Sequence, residues 1–109
     1  MKRGEVWTVS GGPGYAGKPR PVVIVQGDAF EALDSVAICP LTTIQAELPL
    51  FRLEVIPTEA NGLRAPSRIM IDKVSAVPKA KLGGRIGRIA DADILRVNRA
   101  LATFLGLAG

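Results

Sequence analysis

The chain has 109 residues, of which 48% are apolar and 22% charged, and it carries a formal net charge of +4. Those figures suit one domain over residues 1–109 with one core, and they exclude a disordered or fibrous chain. There is no histidine and one cysteine, which removes Ser/His and Cys/His catalysis, an internal disulfide and the usual ligand sets for zinc or iron.

The start, MKRGEVWTV, lacks a signal-peptide core. No apolar run approaches the roughly 20 residues that cross a bilayer. A cytoplasmic chain with no membrane partner is therefore expected. EVWTV, residues 5–9, reads as a short strand with Trp7 in the core. The next stretch, SGGPGYAGKPRP from Ser10 to Pro21, holds four glycines and three prolines, and is expected to be a long loop that moves. VVIVQ (22–26) and SVAICPL (35–41) are apolar without alternation, as in strands buried on both faces, with Cys39 as a small core residue.

FRLEVIP (51–57) alternates Phe51, Leu53 and Val55 with Arg52 and Glu54, the pattern of a strand with one wet face. SRIMIDKVSAV (67–77) predicts one long strand, or two joined by a bend, and LGGRIGRI (82–89) a short turn. In DADILRVNRALATFLGLAG, Ile94, Val97, Leu101, Phe104 and Leu105 recur at helical steps. Asp91 or Asp93 would cap this helix, and Gly106 would stop it. The sum is five or six short strands and one terminal helix, most simply a small antiparallel barrel.

Charge is unevenly spread. Residues 22–63 hold six acidic side chains against Arg52, whereas residues 64–88 hold Arg64, Arg68, Lys73, Lys79, Lys81, Arg85 and Arg88 against Asp72 alone. Such a cluster suits a polyanion, and it equally suits a solvated face. Three motifs stand out: KPRP at 18–21, PLTT at 40–43 and RIMID at 68–72. Pro19 and Pro21 stiffen the backbone around Arg20, whose planar fork of donors matches a phosphate. The hydroxyls of Thr42 and Thr43 suit a phosphate oxygen or a turn backbone, and the sequence leaves both open.

Taken in order, RGEVW, the Gly-rich loop, RPVVIVQGD, PLTT, Gly62-Leu63, SRIMIDKVSAV and the closing LGL resemble the MazF/PemK (Kid) toxins of bacterial toxin–antitoxin modules. The resemblance implies an SH3-like antiparallel barrel of the CcdB/MazF type with a C-terminal helix, a two-fold homodimer and a cognate antitoxin. It also implies sequence-specific cleavage of single-stranded RNA, mRNA included. No cofactor is expected, since attack of a 2′-OH on the adjacent phosphorus needs only proton transfer and charge stabilisation.

Carried over by position, the family's catalytic arginine and threonine fall on Arg20 and Thr42. Some members also use an arginine and an aspartate separated by one residue. The aspartate is Asp72, but Met70 stands at the arginine position, and Arg68 is the substitute in reach of sequence reasoning. Lys18, Thr43 and Tyr15, the last as a stacking ring, complete the candidates. The helix, through Leu101, Phe104 or Leu105, is expected to contribute to the dimer. A gyrase inhibitor of the CcdB type and a non-catalytic nucleic-acid-binding barrel are the alternatives the same fold allows.

Overall fold

A computed structural model describes residues 1–10, 18–44 and 51–107. Its strands are β1 (Glu5–Val9), β2 (Arg20–Ile24), β3 (Ser35–Thr42), β4 (Arg52–Val55), β5 (Ser67–Met70), β6 (Ser75–Pro78) and β7 (Leu82–Arg88), followed by helix α1 (Asp91–Phe104). All ladders are antiparallel, in the order β4-β5-β3-β2-β1-β7, with β6 paired to β3. Among the described residues the end strands β4 and β7 share no ladder, so the expected barrel architecture is present as an open sheet.

Strand β3 organises the sheet. One edge pairs β2, while the other pairs β6 through Ser35–Ile38 and β5 through Leu41–Thr42. Pro40 falls between those two stretches, where its missing N–H interrupts neither pairing, so β3 runs on past the proline to Thr42. Between β5 and β6 a 3₁₀ turn, Ile71–Lys73, breaks the run of β-formers. It is anchored by buried Ile71 and by its amide, which donates to the Phe51 carbonyl at 2.8 Å.

Two clusters fill the two faces. The larger joins Val6, Val23, Cys39, Leu41, Ile69, Ile71 and Ile89 to Val97 of α1. The smaller gathers Val9, Val22, Ile24, Val36 and Ile38, with Trp7 packed against it. Val22 to Val25 are all buried, as their unbroken apolar run required. Trp7 is half-buried at the edge of that cluster, and it donates its indole N–H to Glu5 at 3.0 Å.

Three expectations need correction. LGGRIGRI is mostly strand, because Leu82–Arg88 pairs with β1 through its backbone. There are seven strands among the described residues, rather than five or six. Asp91 and Asp93 do not cap α1. Ala90 holds that position without a side-chain bond, and both aspartates lie in the first turn, where they complement the helix dipole. Gly106, at φ +76°, does end the helix.

Candidate active site

The β2–β3 register sets Val22 against Pro40, and continued by two residues it sets Arg20 against Thr42. The two motifs thus meet at one end of the sheet. Arg20, Pro40, Leu41, Thr42, Ile44, Met70 and Lys73 line a cavity of about 390 Å³ there. A smaller cleft of about 120 Å³ continues past Arg20 and Thr42 to Thr43 and Ser67.

Arg20 is exposed and makes no hydrogen bond or ion pair with any described residue. The Ile44 amide donates to Thr42 Oγ1 at 3.2 Å. The threonine therefore does shape the turn, yet its own hydroxyl proton stays available as a donor. Thr43 is exposed beside it. Lys73 is exposed and likewise unbonded among the described residues, so the cavity holds two cations and a hydroxyl. Those donors suit an anion and repel a metal ion.

The aspartate of the RIMID stretch is placed differently. Arg52 reaches Asp72 with both arms of its fork, Nε to Oδ1 and Nη2 to Oδ2, each at 3.2 Å. The pair is largely buried, with side chains 11% and 25% exposed. Hydrogen bonding from Arg52 holds the Asp72 carboxyl below the usual aspartate range, against a smaller opposing effect of burial. Arg52 stands opposite Met70 in the β4–β5 register. An arginine–aspartate pair is thus built between a strand and a turn, with Arg52 of β4 as the partner of Asp72 in the 3₁₀ turn.

Arg68 is half-buried and in register with Thr42 on one side and Glu54 on the other. Lys18 is exposed at the head of β2. Tyr15 and the loop glycines Gly11, Gly12, Gly14 and Gly17 lie outside the described residues. The site therefore gathers Arg20, Thr42 and Thr43, sets Arg68 next to them, and keeps Asp72 in its own pair. Sequence reasoning gave no site role to Lys73 or Arg52. Lys73 is brought in by the 3₁₀ turn between β5 and β6, the bend that the sequence left open against one long strand. Arg52 carried a signal only as a cation in a mainly acidic stretch.

Fold and site together define a small antiparallel-sheet protein with a cationic, hydroxyl-bearing groove for an anion. The sequence model of the PemK-like, MazF-like toxins of type II toxin–antitoxin systems matches residues 2–105, and the chain belongs to that family. It is 48% identical over 109 residues to a probable endoribonuclease MazF of Mycolicibacterium smegmatis, covering 100% of both chains. It is 25% identical over 116 residues to endoribonuclease MazF9 of Mycobacterium tuberculosis, covering 98% of each. A solved mycobacterial endoribonuclease in complex with its cognate antitoxin matches with a TM-score of 0.81 and 25% identity, covering 100% of this chain and 98% of that one.

Proposed function

We propose that residues 1–109 form one toxin domain, an endoribonuclease that cleaves single-stranded RNA, including mRNA, at preferred sequences without a metal. The observation that carries this reading is the meeting of an unpaired guanidinium and a free hydroxyl proton, Arg20 and Thr42, in one cavity of a chain from this family. The 2′-OH loses its proton and its oxygen bonds to phosphorus. The P–O5′ bond breaks, and the departing oxygen takes up a proton. The products are a 2′,3′-cyclic phosphate and a 5′-OH.

Arg20 stabilises the extra negative charge on the phosphorane, with Thr42 donating to a non-bridging oxygen. A guanidinium holds its proton tightly and is a poor base, so proton transfer needs a neighbour. Lys73 adds a second positive charge, Arg68 and Lys18 extend the basic track for the strand, and Thr43 offers it a hydroxyl. Asp72 acts through Arg52, holding the turn that carries Lys73.

The chain works in the cytosol as a homodimer under the control of a cognate antitoxin. Leu95, Leu105 and Leu107 are 56%, 55% and 78% exposed on or just after α1, apolar surface that a second copy can cover. The relatives' names favour the nuclease over a gyrase inhibitor. The test is incubation with single-stranded RNA in excess EDTA, followed by identification of the ends. Fragments with 5′-OH and cyclic phosphate termini are expected. Activity lost in EDTA, or 5′-phosphate ends, would overturn the reading.

A further inference from the structure

Beside the Arg20 groove lies a larger cavity of about 550 Å³, which the cleavage step does not use. It shares Pro21, Thr43 and Ser67 with the small cleft that holds Arg20 and Thr42, so the two lie side by side. Pro19, Leu63, Ala65 and Ile86 add apolar wall, and Arg64 is the one cation among the described lining residues. Its size and its apolar surface with few polar groups are those of small-ligand pockets.

Two of the four polar side chains among its described lining residues are already engaged. Thr8 Oγ1 accepts the Gly84 amide at 3.0 Å, and the Ser67 hydroxyl donates to the Ala65 carbonyl at 2.9 Å. Arg64 and Thr43 make no such bond with any described residue and are exposed. The wall that carries Arg64 is fixed. Asn61, 3% exposed, accepts the Thr58 and Leu63 amides through its side-chain oxygen and donates to the Ile56 carbonyl. Gly62 adopts φ +70°, and a Cβ there would strike the Ile86 carbonyl oxygen. A preformed apolar slot with an unspent guanidinium thus sits next to the phosphate site.

We propose that this cavity takes the nucleobase flanking the cleaved phosphate, and that Arg64 reads the edge of that base. The inference rests on the nuclease reading and adds to it a determinant of sequence preference. An unpaired base offers its faces to apolar walls and its edge to hydrogen bonds. A guanidinium only donates, so it suits two adjacent acceptors. Guanine, with O6 beside N7, provides them, whereas adenine sets an amino donor beside N7. Guanine is therefore the base the cavity favours.

The experiment is cleavage of a randomised single-stranded RNA pool by the wild-type chain, Arg64→Ala and Arg64→Lys, with the cut sites sequenced. The wild-type chain is expected to favour guanine at one position next to the cut. Arg64→Ala loses that preference by about 5- to 150-fold and Arg64→Lys loses less of it, while both keep the preferences elsewhere and melt like wild type. No guanine preference beside the cut, or an unchanged preference in Arg64→Ala, would overturn the Arg64 assignment while leaving the nuclease standing. A wild-type chain that cleaves no RNA would overturn the nuclease reading and this inference with it.

Discussion

Arg20 and Arg52 each open a short strand of the same sheet, and they have opposite fates. Arg52 is 11% exposed and spends both arms on Asp72. Arg20 is exposed and unpartnered among the described residues. A guanidinium withdrawn from water needs a carboxylate beside it, and once paired it offers little net charge to a ligand. One left in solvent at the rim of a cavity has its donors still to give. The difference separates an arginine that holds the fold from one that meets the substrate.

The largest effect on the structural side is expected from Arg52→Ala, which strands a mostly buried carboxylate. It should cost about 2–3 kcal/mol, a fall in thermal midpoint of roughly 10–20 °C, measured by calorimetry. A wild-type midpoint would erase the contrast with Arg20. Asp72→Asn keeps a neutral acceptor for Arg52 and should cost about 1–2 kcal/mol at neutral pH.

The pH dependence of that loss sharpens the comparison. Because the folded-state pKa of Asp72 is lowered, its contribution is fully present above the unfolded aspartate value near about 4. It is lost as pH falls through the folded value. Denaturant midpoints taken down the acid limb should therefore fall less steeply in Asp72→Asn than in wild type, and parallel limbs would refute the linkage.

On the groove side, Thr42→Val should slow RNA cleavage by about tenfold, the worth of one hydrogen bond, with a small change in stability. Loss of folding instead would reduce Thr42 to its turn role. The smallest effect is a null one. Cys39 is fully buried and burial pushes its thiol up to about 12, so iodoacetamide at pH 8 should label only the denatured chain. Labelling of the native protein would mean that the core beneath the groove opens.

What was legible in the sequence was local. EVWTV gave β1 with its observed ends, and the unbroken VVIV run gave a strand buried on both faces. Strand β7 escaped because Gly83, Gly84 and Gly87 supply no side-chain alternation. Its place is fixed by backbone pairing to β1 and by the close approach of Gly87 to Asn61. The break after Met70 was one of the two readings of SRIMIDKVSAV, one long strand or two joined by a bend, and what decides between them is a bond from Ile71 to Phe51 far back in the chain. Arg20 and Thr42 were visible as motifs, but their meeting depends on strand register. The Arg52–Asp72 pair joins strand β4 to the 3₁₀ turn and has no local signature, so Arg52 read as a residue of a wet face.

The central claim is that Arg20 serves the substrate and not the fold, and single-turnover cleavage of one fixed RNA by Arg20→Ala tests it most directly. The account predicts a rate about 10²–10³-fold below wild type, with an unchanged thermal midpoint. A variant that cleaves at close to the wild-type rate, or one that loses activity only because it no longer folds, would contradict it.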